Sequence, residues 1–424
     1  MAAVEVLIHD QAIRDLGRIT GEEEGWLGSA PEAAFGVSFG RDASISSLLA
    51  LYTFEQDPHG AYLYFTKSSL RTMARYQGKF FDPKIDEEPG RIHHELRFWA
   101  NQEPANQQKL RELAADNWPV DEEGLRVYCS VDSTPLFVIA ACEYIQKAND
   151  WQFAEEIEEN IRNAVDWMIH YGDKDGDLFI EFLAQNPNTI QNQGWMDSSD
   201  SIKNPDGTNP EGPYALVEVQ GYQYMALMLA ADFFEKESEY SEILRQRARD
   251  LKMKFNKDFW MEEERFFASG LDGQKNRIKD IRSNVGHLLM TGIIDEEKVP
   301  LVVDRLMQPD MFTEGGIRTL SANSPNFSDK APEGYHNGSI WPHDNAIICL
   351  GLRKLGYINE AERIKTAVLG AQIHLADQDG QYNRELYMED RNGNLVPYDT
   401  AAHPQGWAIH ANLFWTAELA KKAA

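Results

Sequence analysis

STPLFVIAACEYIQKANDWQFAEEIEENIRNAVDWMIHY, residues Ser133–Tyr171, reads as two helices separated by a two-residue break. Ser133 to Ala148 carries apolar residues at helical spacing, with Pro135 tolerated in the first turn. Trp151 to Tyr171 repeats that period, and Asn149-Asp150 is a short polar punctuation between the two. The same pairing recurs at Asp42 to Phe54 with Gly60 to Gly78, and at Val217 to Glu235 with Ser241 to Trp260. It continues at Ser283 to Thr291 with Asp295 to Met307, at Gly338 to Leu355 with Asn359 to Leu375, and ends at Gln405 to Lys421. Breaks within pairs are short, as at Gly356-Tyr357-Ile358, whereas those between pairs are long and rich in Gly, Pro, Asn and aromatic residues. Helical hairpins arranged around an axis, with the long loops gathered at one end, have this asymmetry. About six hairpins predict an all-α (α/α)6 toroid. An open α-solenoid is the competing architecture, but there is no fixed short repeat period and the loops are longer than such arrays carry. No stretch reads as a flexible linker, so residues 1–424 are expected to form a single domain.

The chain is acidic, with 41 Lys and Arg against 68 Asp and Glu and a net charge of −27, which repels phosphate backbones and anionic lipid surfaces. Nucleic acid and membrane are therefore not expected as partners; neutral or cationic small ligands are. Cys129, Cys142 and Cys349 are too few and too scattered for a disulfide framework or a zinc site, and no cofactor motif is present. The first ten residues lack the basic and apolar regions of a signal peptide, and no apolar run reaches membrane-span length, which predicts a cytoplasmic protein.

The long loops repeatedly mix carboxylate, amide, guanidinium and indole. In Gln193-Gly194-Trp195-Met196-Asp197-Ser198-Ser199-Asp200, acids sit beside a tryptophan. A sugar offers hydroxyls to planar polar groups and a C–H face to an aromatic ring, and cleaving its glycosidic bond needs a carboxylic acid on one side and a carboxylate on the other. Glu385, flanked by Tyr382, Arg384 and Tyr387, is the candidate for the second. An acid beside Trp195 is partly desolvated, which keeps it protonated as a general acid requires. The acid density of this loop is also compatible with a plain turn.

The other segments have competing readings of the same kind. Asp42, after Phe39-Gly40-Arg41, could simply cap a helix, and so could Asp132 before Ser133. Arg41 and Asp42 together are also how a hexose is clamped. Glu218 and Tyr222 lie at i and i+4 on one helix face, with Gln220 between them. Tyr335-His336-Asn337-Gly338-Ser339-Ile340-Trp341-Pro342-His343-Asp344-Asn345 is the densest polar and aromatic segment. Its two histidines lack the spacing and companion ligands of a metal site, so no metal is expected there. Asp173-Lys174-Asp175-Gly176-Asp177 resembles a fragment of a calcium loop without completing the ligand pattern, and reads as a tight turn.

Taken in order, Phe39 to Asp42, Pro89-Gly90-Arg91-Ile92-His93-His94-Glu95-Leu96-Arg97, Ser130 to Leu136, Gln193 to Ser198, Glu218 to Tyr222, His336 to Asp344 and His403-Pro404-Gln405-Gly406-Trp407 resemble the C-terminal catalytic domain of bacterial amylo-α-1,6-glucosidases. More distantly the chain looks like the wider group containing glucoamylase, trehalase, processing α-glucosidase and mannosylglycerate hydrolase. The resemblance implies an (α/α)6 barrel and hydrolysis with inversion, with Asp197 at the position of the acid and Glu385 at that of the base. Two departures point from glycogen toward a small α-glycoside: the chain begins almost at the barrel, where relatives carry a β-rich domain, and Met196 stands where relatives often have Lys.

The expected activity is thus that of an inverting, exo-acting α-glycosidase whose two carboxyls lie ~6.5 to 9.5 Å apart. Asp200 is the next acid to test. Substrate contacts are expected from Phe39, Arg41, Asp42, Glu95, Asp132, Gln193, Trp195, Glu218, Gln220, Tyr222, Tyr335, His336, Asn337, Trp341, His343, Asp344, Tyr382, Arg384, Gln405 and Trp407. A rival substrate is a glycosylated compatible solute such as glucosyl- or mannosyl-glycerate, for which Arg91, His93, His94 or Arg97 would supply a cation. A sugar-binding toroid without chemistry is the non-enzymatic rival.

Overall fold

The computed structural model describes residues 2–417. Thirteen α-helices dominate it: α1 (Ala2–Leu16), α2 (Gly40–Phe54), α3 (Gly60–Arg75), α4 (Pro104–Ala115), α5 (Ser133–Ala148), α6 (Trp151–Trp167), α7 (Val217–Phe233), α8 (Ser238–Asp258), α9 (Asn284–His287), α10 (Val299–Leu306), α11 (Pro342–Lys354), α12 (Ile358–Asp379) and α13 (Gly406–Thr416). Helix α5 ends at Asn149, whose left-handed backbone (φ 53°) turns the chain, and Asp150 then caps α6 by accepting from the Phe153 N–H at 3.1 Å. Phe153, Ile157, Ile161, Ala164 and Val165 form the buried stripe of α6, whereas α5 is buried over most of its surface.

That difference separates two rings. Helices α2, α5, α7, α9, α11 and α13 touch in sequence, and α13 packs back on α2, closing an inner ring of six. Around it lie α3, α6, α8, α10 and α12, each following its inner partner, while α1 covers α13 from outside. The sixth hairpin therefore joins the first described helix to the last, and the ring closes as the (α/α)6 toroid expected. Helix α1 was not anticipated, since its apolar face is interrupted by exposed Val6, Leu7 and Ile13. Helices expected at Ser283–Thr291 and Gly338–Leu355 are shorter, beginning at Asn284 and Pro342. The stretch 418–421 of the last expected helix lies outside the described residues.

Each inner helix is entered from a long loop: residues 17–39, 76–132, 173–216, 259–283, 307–341 and 380–405. These loops carry short strands, among them an antiparallel sheet of Ser38–Phe39, Glu95–Phe98 and Gly124–Val127 in which Glu95 faces both Phe39 and Val127. All six inner N-termini, with their partial positive charge, meet at the loop end. Helix α4 rides on that sheet over its own small core of Leu110, Leu113, Leu125, Val127 and Cys129.

Candidate active site

At the loop end a cavity of about 290 Å³ is lined by Arg41, Asp42, Trp195, Asp197, Tyr335, His336, Trp341, Glu385, Ala402, Gln405 and Trp407, among others. The three-stranded sheet, α4 and the residues flanking them bring Phe35, Phe39, His94, Glu95, Lys109, Leu113, Trp118 and Ile190 to the same lining. Asp197 and Glu385, far apart in sequence, thus face one space.

Arg41 organises the acid side. Its Nε donates to Asp132 Oδ2 at 2.7 Å, Nη1 to Asp197 Oδ2 at 3.2 Å, and Nη2 to the Gly194 carbonyl at 2.8 Å. Asp132 has no exposure and in turn accepts from Ser130 Oγ at 2.6 Å, so this carboxylate orients the guanidinium rather than meeting a ligand. The Asp197 side chain is 29% exposed and lines the cavity. Desolvation raises its pKa and the neighbouring Arg41 charge pulls it back.

Glu385 is held on the other side. Tyr335 Oη donates to its Oε1 at 2.9 Å and the Ala402 N–H to its Oε2 at 2.7 Å. Burial pushes its pKa up to about 7 against both hydrogen bonds, with the Asp197 charge adding to the rise. Asp42 is the third carboxyl of the cavity. Gln405 Nε2 reaches its Oδ1 at 3.5 Å, and burial raises its pKa to about 7, opposed by Arg41 and reinforced by Glu385 and Asp197.

The aromatic walls rest on imidazoles. His343 stacks on Trp407 with centroids 3.7 Å apart, and His287 lies nearly parallel to Trp195 at 5.9 Å. His336 stacks on Trp341 at 5.2 Å and bonds Ser198 Oγ through Nδ1 at 2.9 Å. Burial holds His336 and His343 well below their ordinary pKa, so both are neutral packing elements.

Other residues expected at the site belong to its walls. Tyr222 Oη, His287 and Asp344 Oδ1 form a buried chain with steps of 2.6 and 2.7 Å. His287 was not anticipated; it lies on a four-residue helix whose sequence carries no chemical motif. Gln220 ties α7 to the Ile180 backbone, and Gln193 accepts from Arg91 Nη2 at 2.6 Å. Asn337 accepts from Arg282 at 2.9 Å and donates to the Asp200 carbonyl at 3.2 Å; the Asp200 carboxyl is not among the cavity walls. Arg384 pairs with Asp379 and Gln381, and Tyr382 lies outside the lining. Glu218 is wholly buried behind Gly194, with no well-formed hydrogen bond to either oxygen.

Of the cations named for a solute reading, Arg91 is spent on Gln193, the Asp86 carbonyl and Glu88, and Arg97 on Glu95 and the Ala34 carbonyl. Among these residues only His94 lines the cavity. Lys109, which does line it, comes from α4 and was missed with that helix. Asp173, Asp175 and Asp177 do approach one another, yet Lys275 sits 2.9 Å from Asp175 and 3.1 Å from Asp177, and Arg247 2.8 Å from Asp173. Ammonium and guanidinium neutralise that turn. A larger cavity of about 790 Å³ backs the three-stranded sheet, but its acids Glu23, Glu24, Glu122 and Glu123 are not desolvated. It lacks the buried carboxyls that acid–base work on a glycoside uses.

A helical toroid with buried carboxyls and indoles facing one cavity at its loop end defines a glycoside hydrolase architecture. Residues 117–413 match the family model described as amylo-alpha-1,6-glucosidase, and the chain belongs to that family of glycoside hydrolases. The fold is similar to that of GH63 mannosylglycerate hydrolase from Thermus thermophilus. Its complex with Tris and D-glycerate aligns with a TM-score of 0.70 at 13% identity, covering 96% of this chain and 100% of the other. The complex of that hydrolase with glucose aligns at 0.67 with 14% identity and the same coverage. A search of curated proteins by sequence finds no match.

Proposed function

We propose that the chain is an inverting, exo-acting α-glycosidase for small α-glycosides, with Asp197 as general acid and Glu385 as general base. The observation that carries this reading is the pair itself: two carboxyls with raised pKa values face one cavity. Each is gripped by different groups, Asp197 by Arg41 and Glu385 by Tyr335 and the Ala402 N–H. Asp197 donates its proton to the glycosidic oxygen as the C1–O bond breaks. Glu385 takes a proton from a water whose oxygen bonds C1 on the opposite face, and the sugar leaves with inverted configuration. Arg41 and Asp42 with Gln405 bind hydroxyls of the sugar, and Trp195, Trp341 and Trp407 enclose it. A cavity of about 290 Å³ suits a terminal sugar rather than a chain threading through.

Hydrolysis of a glycosylated compatible solute is the second reading. The likeness to a hydrolase whose crystals hold D-glycerate favours it. NMR of the first product from a panel of α-glucosides and α-mannosides tests both: β-anomer release supports inversion, α-anomer release excludes it, and binding without cleavage favours a non-catalytic toroid.

A further inference from the structure

The part of the lining that the three-stranded sheet, α4 and their flanking residues provide differs in chemistry from the part that carries Asp42, Asp197 and Glu385. Five of its residues, Phe35, Phe39, Leu113, Trp118 and Ile190, are apolar. Leu113 and Lys109 lie one helical turn apart on α4, so this helix presents a hydrocarbon wall and an ammonium to the same space. The wall is preformed. Trp118 and Ile190 pack on the small core beneath α4, and the Asn106 side chain donates to the Phe98 and Asn101 carbonyls at 2.9 Å each, fixing the helix start.

Charge is as one-sided as polarity. Four bases line the cavity: Arg41, His94, His336 and Lys109. The charge of Arg41 is balanced by Asp132 and Asp197, and burial keeps both imidazoles neutral. Lys109 remains, its ion-pair partner Glu112 standing off at 3.9 Å, with a side chain 34% exposed. Glu95, the acid on this side, is paired with Arg97 at 2.6 Å. A polyhydroxylated leaving group, such as a further glucose unit, would find few free partners among these groups.

Resting on the glycosidase reading above, we infer that this collar binds the leaving group, and that the leaving group is an apolar alcohol carrying a negative charge at its far end. The apolar body covers exposed Phe35 and half-buried Trp118 and Ile190 and packs on Phe39 and Leu113, and the anion meets the partly exposed Lys109 ammonium. Lys109 is then the residue that selects among glycosides.

The test uses the full-length protein and matched α-glucosides and α-mannosides bearing 4-carboxyphenyl, 4-carbamoylphenyl or phenyl groups, with isomaltose as the polyhydroxylated control. The carboxylate and carboxamide differ mainly in charge. The expected result is a kcat/KM about fivefold higher for the carboxylate at low ionic strength, shrinking with added salt, as for a partly exposed ion pair. In Lys109→Met the ratio should collapse toward one, and in Lys109→Glu it should invert. Equal rates for carboxylate and carboxamide, an unchanged ratio in Lys109→Met, or isomaltose cleaved as fast as the aryl glycosides would each overturn the inference while leaving the glycosidase intact. Silence toward every glycoside would overturn both.

Discussion

Tyr335 donates its phenolic hydrogen to Glu385 Oε1 at 2.9 Å and so stabilises the ionised form of a carboxyl that burial pushes up to about 7. A base must be ionised to activate water, so kcat/KM should fall as pH drops through about 7. Removing the donor in Tyr335→Phe raises the pKa further. A hydrogen bond to a charged group is worth ~1.5 kcal/mol, and the acidic limb of the kcat/KM profile should move up by about one pH unit. A limb that stays in place or moves down would remove Glu385 from the role of base.

Asp197 and Asp200 lie three residues apart but face different surroundings. Only the Asp197 carboxyl lines the cavity and touches Arg41. Asp197→Asn should lower kcat by roughly 10²–10⁴-fold, the span of general acid catalysis, with the larger loss on poor leaving groups. Asp200→Asn should stay within about tenfold of the unaltered protein, since its carboxyl does not reach the cavity. Reversed losses in steady-state assays would transfer the acid to Asp200.

Inner helices such as α5 and α13 were legible because they are apolar over most of their surface, and the break between α5 and α6 was visible at Asn149-Asp150. Helix α4 was missed because it buries only Asn106, Leu110 and Leu113, a stripe too narrow to separate from a polar loop, although Pro104 at its start was a signal. Lys109 went unseen with it. At the site, residue type in the loops led to Arg41, Asp42, Trp195, Asp197 and Glu385. It could not separate lining from wall. Glu218, Tyr222 and Asp344 have the same chemistry, yet they are satisfied or sealed behind Trp195 and Gly194, an outcome set by packing between distant loops.

The Arg41–Asp132 pair is fully desolvated, with side-chain exposures of 3% and 0%. Breaking a buried pair by removing one partner costs about 3–5 kcal/mol, because the other charge is left uncompensated. Asp132→Ala should therefore lower the thermal midpoint by several degrees. It should also depress kcat, since Arg41 loses the partner that aims it at Asp197 and the Gly194 carbonyl. Calorimetry beside activity at a temperature where the variant is folded separates the two effects; full activity there would show that Asp132 serves stability alone.

Glu218 makes the opposite prediction. Its pKa is raised by burial from 4.5 to about 7; the nearby Asn284 side chain opposes the rise without making a well-formed hydrogen bond to either oxygen. The folded state thus holds a proton that the unfolded state releases at lower pH, and stability present below about pH 4.5 is lost progressively as pH rises through 7. By about pH 8 the penalty amounts to roughly 3 kcal/mol. Glu218→Gln keeps the shape, carries no charge, and offers an amide N–H to Asn284 Oδ1, which also lacks a partner. The variant should melt several degrees higher than the unaltered protein at about pH 8, with the gain shrinking toward about pH 5. A gain that is the same at both pH values would mean that Glu218 is not protonated in the folded protein.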